Sequence, residues 1–344
     1  MPRHPFDPPR GRLAHLTVDS KVLGENLVGD PSERECAVYL PPGYDVTDRQ
    51  YPLFIYLAAF TNSGLKEAGW RSFEESLPQR IDRLTDAGEM GEVILAMPDC
   101  FTSLGGNQYL DSVAMGRWEH YLIHELLPAL EAEYRVLPGR DCRALFGHSS
   151  GGYGALVHGM RHSDVWGAVA SHAGDVGFEL LYRRDLVKAL DALARFDGDH
   201  EAFLEHLEAA PKIRGNDFYA LMMLAMAASY DPDPDAPRGI RLPCDLHTAE
   251  LIPERWEAWL RCDPLRLIEV EGARDQLASL RGLWIDVGSR DEYGLHYGTR
   301  SLIRKLESME VPHHHEEFPD GHSKISYRFD RSLPFLYQAL ACAG

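Results

Sequence analysis

Two stretches of the chain, Pro52-Leu53-Phe54-Ile55-Tyr56-Leu57 and Val93-Ile94-Leu95-Ala96-Met97, are apolar at every position. A strand buried on both faces reads this way, because neither face alternates toward solvent. Upstream, residues 12–19 and 35–40 are β-rich and bounded by Gly and Pro, and Pro41-Pro42-Gly43-Tyr44 ends the second. They predict antiparallel lead-in strands. Residues 73–87 read as a helix, and the spacing Trp118, Leu122, Leu126, Leu130 lays one apolar stripe along a longer one. Further strands are predicted at 143–146, 167–171, 283–287 and 313–318. This alternation of strand and helix predicts an α/β fold whose central sheet has six parallel strands plus the antiparallel lead-ins.

The alternation is interrupted between residues 175 and 262, where several helical patterns appear before the next strand. Residues 178–196, 200–210 and 217–230 are the candidates, and Trp256 and Trp259 lie on a short fourth one. Asp231-Pro232-Asp233-Pro234-Asp235-Ala236-Pro237 breaks the chain between them. The expected organisation is a core made of residues 1–174 and 263–344, with 175–262 inserted as a helical cap. Leu221-Met222-Met223-Leu224-Ala225-Met226 reads as helix core, or as the lining of an adaptable apolar pocket, since Met repacks easily.

Composition narrows the partners. The chain has 344 residues with 35 Lys and Arg against 53 Asp and Glu, a net charge of −18. That argues against nucleic acid or an anionic membrane as the main partner and points to a small-molecule substrate. No apolar run reaches signal-peptide or membrane-spanning length, so a cytoplasmic protein is expected. Whether it forms a homo-oligomer is left open. Six scattered cysteines without a Cys-x-x-Cys pair suggest neither a disulfide scaffold nor a zinc ribbon, and they are expected to be reduced.

The chemistry centres on Gly147-His148-Ser149-Ser150-Gly151. A strand before it and a helix after it put Ser149 at the apex of a sharp turn. Such a turn needs φ > 0 and tiny neighbours two residues away on each side. A serine hydroxyl is a poor nucleophile at neutral pH, so it needs a base and a group to orient that base. Asp291, in Gly288-Ser289-Arg290-Asp291 just past a strand end, is the expected acid, with Asp175 its competitor after another strand end. Asp286, inside a strand, reads as structural, and Glu292 should point elsewhere. His322, in Phe318-Pro319-Asp320-Gly321-His322 after the last strand, is the expected base; turnover should need it neutral. Oxyanion donors are expected from the backbone N–H of Ser150 and of Phe60. Asn107 and Tyr109, on the loop after the Val93 strand, are candidate substrate contacts, as are His148 and Tyr293 beside the nucleophile and the acid. His313-His314-His315 alternate faces along a strand, and Tyr121 follows His120 where a zinc protease would carry its Glu, so neither they nor His120 with His124 read as a metal site. No metal or cofactor is expected.

Taken together, these blocks resemble the group of α/β-hydrolases that includes esterase D (S-formylglutathione hydrolase), enterochelin esterase, feruloyl esterase domains and the mycolyltransferases. The resemblance covers residues 35–336 and rests on Pro41-Pro42-Gly43-Tyr44, Met97-Pro98-Asp99, Gly147 to Gly152, Gly288 to Glu292 and Phe318 to His322. It implies the α/β-hydrolase fold, a Ser149–His322–Asp291 triad and hydrolysis of carboxylic esters without metal. Two blocks depart from the group: Ala58-Ala59 stands where His-Gly is usual, and Ser323-Lys324-Ile325-Ser326-Tyr327 replaces a tryptophan-rich stretch. S-formylglutathione or siderophore esters, both anionic, fit the −18 charge less well. An acyltransferase of the same fold, or a hydrolase-fold binding protein that has lost turnover, are the other readings.

Overall fold

Apolar runs become the middle of one sheet. The computed structural model describes residues 6–342. Its main strands are β1 (Arg12–Asp19), β2 (Glu33–Leu40), β3 (Leu53–Leu57), β4 (Ile94–Pro98), β5 (Arg143–His148), β6 (Ala168–His172), β7 (Gly282–Gly288) and β8 (His314–Phe318). They form an eight-stranded sheet in the order β1-β2-β4-β3-β5-β6-β7-β8. The pairs β1–β2 and β2–β4 are antiparallel, and every other pairing is parallel. This is the mixed α/β fold and strand count expected from the sequence.

Period-two alternation divides each central strand between two cores. Leu53, Ile55 and Leu57 of β3 join the cluster on one face, while Phe54 and Tyr56 join the cluster on the other. The stripe Trp118, Leu122, Leu126 and Leu130 is fully buried in the first of these. Its strict spacing of four overshoots a 3.6-residue turn, and the helical run widens to a π-helix over Tyr121–Leu126. The helix expected at 73–87 begins later, at Leu77–Asp86. Ser76 sets that boundary: its side chain accepts from the Gln79 N–H while the Gln79 side chain accepts from the Ser76 N–H.

Between β6 and β7 the chain forms the helices Phe178–Leu193, His200–Ala209, Asp217–Tyr230 and Pro253–Leu260. Asp263 ties the exit of this segment to its entry. Its carboxylate accepts from the N–H groups of Gly177 (3.0 Å) and Phe178 (2.7 Å), capping the first helix from 85 residues away, and from Leu265 N–H (3.0 Å). One expectation needs correcting: Cys142 and Cys342 are joined by a disulfide across 200 residues, with Cα atoms 5.6 Å apart. Spacing along the chain carries no information about so distant a pair. Among the described residues no helix is long and apolar enough to cross a membrane.

Candidate active site

Parallel register brings the carboxyl ends of four strands side by side. Gly147 pairs with Ser171, His172 with Asp286 and Phe318 with Gly288, so the loops carrying Ser149, Asp175, Asp291 and His322 leave the sheet at the same edge. Ser149 has φ 57° and ψ −123°, between β5 and the helix Ser150–Arg161. Glycine is required on both sides of it. A Cβ on Gly147 would lie 2.5 Å from the Leu57 carbonyl oxygen, and one on Gly151 would run into the same group. The Ser149 N–H is tied to the His172 carbonyl (2.9 Å), anchoring the turn to β6.

His322 Nε2 lies 3.0 Å from Ser149 Oγ, and His322 Nδ1 lies 2.7 Å from Asp291 Oδ2. The other Asp291 oxygen accepts from Tyr293 N–H (2.9 Å) and Leu295 N–H (3.4 Å), so both lone-pair faces are committed. Asp291 is 4% exposed and His322 7%, which strengthens their attraction by excluding water. Glu292, expected to point elsewhere, instead accepts the His322 N–H at 2.7 Å and fixes the loop that carries the imidazole. Asp286 is structural, as read: it holds His172 Nδ1 (2.7 Å) and Arg328 Nε (3.0 Å) in the core. Asp175 makes no hydrogen bond to His322; its partner is Tyr182.

A cavity of about 190 Å³ opens at Ser149. Phe60, Ser150, His148 and Tyr293 line it near the serine, and Leu181, Phe218, Met222 and Met226 wall it from the segment after β6. The Met-rich stretch therefore serves both of its sequence readings, with Met223 in the core and Met222 and Met226 at the cavity. Tyr293 packs edge-on against His322 with ring centroids 4.8 Å apart, and burial pushes its hydroxyl up to about 12. His148 gives its Nε2 proton to the His322 carbonyl (3.0 Å); burial, with the neighbouring His322 and His172, holds it well below the usual histidine range.

Asn107 and Tyr109 do not line the cavity. The structure turns both inward, contrary to their reading as substrate contacts. Asn107 Nδ2 donates to Cys100 O (2.6 Å) and its Oδ1 accepts Tyr109 N–H (2.6 Å), while Tyr109 Oη donates to Ala58 O (2.5 Å). The loop at Ala58-Ala59 is thus held from beneath, and Thr61 N–H reaches Gly105 O (2.6 Å) beside it. Gly105 and Gly106 pack so closely that a Cβ on either would lie 3.2 Å from the Phe60 ring. Gln108, which the sequence does not single out, donates from Nε2 to Ser150 Oγ (2.8 Å) and anchors the residue after Ser149. Nothing in the sequence marks it, since the partner that orients it, Ser150, lies 42 residues on. Away from the cavity, His314 stacks on Trp284 at 4.2 Å, His313 and His315 bond backbone carbonyls, and His120 pairs with Asp111.

Comparison with known proteins agrees with this architecture. The chain is 30% identical over 143 residues to esterase Rv1288 of Mycobacterium tuberculosis; the match spans 40% of this chain and 28% of that relative's length. Among solved structures it is similar to a ferulic acid esterase (TM-score 0.61, 21% identity, 96% of this chain and 98% of the other). It is also similar to the serine hydrolase FphF of Staphylococcus aureus (TM-score 0.60, 14% identity, 96% and 99%). A third is an S-formylglutathione hydrolase from Agrobacterium tumefaciens (TM-score 0.58, 16% identity, 97% and 97%). These likenesses show the α/β-hydrolase fold. Residues 31–334 match the family model described as "Putative esterase", and the chain belongs to that esterase family of the α/β-hydrolase superfamily.

Proposed function

We propose that this protein hydrolyses carboxylic esters of small molecules through an acyl-enzyme formed on Ser149. The observation that carries the reading is the relay from Ser149 Oγ to His322 Nε2 (3.0 Å) and from His322 Nδ1 to Asp291 Oδ2 (2.7 Å), at the edge of a cavity of about 190 Å³. His322 takes the hydroxyl proton as Oγ attacks the ester carbonyl, and Asp291 holds the imidazole in the tautomer that can accept it. The carbonyl oxygen, now negative, takes hydrogen bonds from the N–H groups of Ser150 and Phe60. Ser150 opens a twelve-residue helix, whose dipole favours negative charge at that end. The alcohol leaves with the proton from His322. Water, deprotonated by the same imidazole, then releases the acid and restores Ser149. His322 supplies the base and two backbone N–H groups supply the oxyanion donors, so the reaction needs no metal, and a chelator should leave turnover unchanged.

Residues 175–262 act in this reading as a cap. Leu181, Phe218, Met222 and Met226 support it, because each of them faces the cavity. Burying acyl surface there is worth about 0.8 kcal/mol per methylene. Nitrophenyl esters of increasing acyl length test the proposal. Their kcat/KM should climb until the cavity is filled and then fall, and Ser149→Ala should lower turnover of all of them by about 10⁴ or more. Turnover by Ser149→Ala at the wild-type rate contradicts the reading, and a flat response to chain length contradicts the cap.

A further inference from the structure

The cavity at Ser149 holds an ionisable group that the relay leaves unused. Asp175 follows β6, is 7% exposed, and sits among the apolar walls made by Leu181, Met222 and Met226. Its Oδ2 accepts from Tyr182 Oη (3.0 Å), and Tyr182 Oη lies 2.9 Å from Tyr230 Oη. Because Tyr182 gives its proton to Asp175, Tyr230 must donate to Tyr182, and the chain of donors ends on the carboxylate. Asp175 Oδ1 has no hydrogen-bond partner among the described residues. Unlike the buried polar atoms that lack a partner, this oxygen is accessible, and Asp175 lines the cavity that opens at Ser149, so a ligand there can reach it. Burial pushes this carboxyl up to about 6, with the Tyr182 hydrogen bond and His322 drawing it back and Asp291 adding to the rise. At neutral pH it is therefore charged and acceptor-only.

We propose that Asp175 is a specificity-determining residue, whose free oxygen accepts a hydrogen bond from a hydroxyl on the substrate's acyl group, so that hydroxylated acyl esters are preferred over alkyl ones. The proposal rests on the ester-hydrolysis reading above. Size agrees with it: a cavity of about 150 Å³ holds a benzene-sized group, so this one takes an acyl group slightly larger. The alcohol half has room in an open groove beyond His148, of about 520 Å³, bordered by Lys66, Trp70 and Lys324. A pocket built to hydrogen-bond a hydroxyl rejects an analogue lacking it, because the acceptor, cut off from water by the bound acyl group, is then left unpaired in the transition state.

Two isosteric pairs of nitrophenyl esters test this: 6-hydroxyhexanoate against heptanoate, and 4-hydroxyphenylacetate against 4-methylphenylacetate. With wild-type protein, kcat/KM should favour the hydroxylated member of at least one pair by about tenfold or more. In Asp175→Ala that ratio should fall to one or invert, with the alkyl ester still turned over. Asp175→Asn keeps an acceptor without the charge and should retain part of the preference, which serves as the test if the Ala variant does not fold. A wild-type ratio of one, or an unchanged ratio in the variants, overturns the proposal while alkyl-ester turnover leaves the hydrolase reading standing. No turnover of any ester, together with no covalent fluorophosphonate label on Ser149, overturns the reading beneath it.

Discussion

Ser149 sits at a backbone angle that non-glycine residues avoid, and strain of this kind costs about 1–3 kcal/mol. The surroundings enforce it through Gly147, Gly151 and the His172 carbonyl, so on the proposed reading the hydroxyl is held ready before substrate arrives. Removing the hydroxyl by Ser149→Ala should cost on the order of 10⁴–10⁶ in kcat with the thermal midpoint little changed, the residual rate coming from the oxyanion donors. Asp291→Asn should cost about 10⁴ by favouring the wrong imidazole tautomer. Asp175→Asn, assayed with a short unsubstituted ester, should lose far less than the ~10⁴ of that tautomer effect, because Asp175 bonds Tyr182 and not His322. Complete loss in Asp175→Asn beside near-normal Asp291→Asn reverses the assignment. These residues are legible in the sequence because each directly follows a strand end, where position in the chain implies position at the sheet edge. Asn107, Tyr109 and Glu292 are not legible in that way. Whether a loop side chain turns in or out depends on partners such as Ala58 and Cys100, which reach it only after folding.

At the level of elements, the strands can be read because burial on both faces leaves no polar position in β3 or β4. Helix starts are harder, since a cap overrides periodicity: Ser76 delays the helix that the pattern places from 73. The loop over residues 58–61 depends on Tyr109, 51 residues from Ala58. Tyr109→Phe leaves the buried Ala58 carbonyl without its donor, which should cost about 1–3 kcal/mol in denaturant melts. If that loop aims the Phe60 N–H at the oxyanion, the same variant should lose kcat by less than the ~10²–10³ expected for removing a donor outright, with KM nearly unchanged. A KM effect without a kcat effect means the loop contacts substrate instead.

Over the whole molecule, charge sets two further expectations. Burial would raise Glu119, but its hydrogen bond to His162 and the charges of His158, Arg161 and His162 outweigh that and hold its carboxyl at about 2. Glu316 is likewise raised by burial, yet bonds from Arg328, His314 and Arg331 hold it at about 2. Both lie below the ordinary 4.5, so the unfolded chain binds more protons between those values. The stabilisation they give is fully present above about pH 4.5 and is lost as pH falls toward 2. Thermal midpoints measured from pH 7 to 3 should fall below about pH 4.5, and Glu119→Gln should flatten that fall; a midpoint indifferent to pH in this window contradicts the assignment. With a net charge of −18, neutral esters should outperform anionic ones, by a margin that shrinks as salt screens the field. The central claim, that Ser149 is a nucleophile driven by His322, is tested most directly by covalent capture. Fluorophosphonate should label wild-type protein once per chain, on the peptide containing Ser149, and should label neither Ser149→Ala nor, at a comparable rate, His322→Ala. Labelling at another residue, or ester hydrolysis by protein that takes no label, contradicts it.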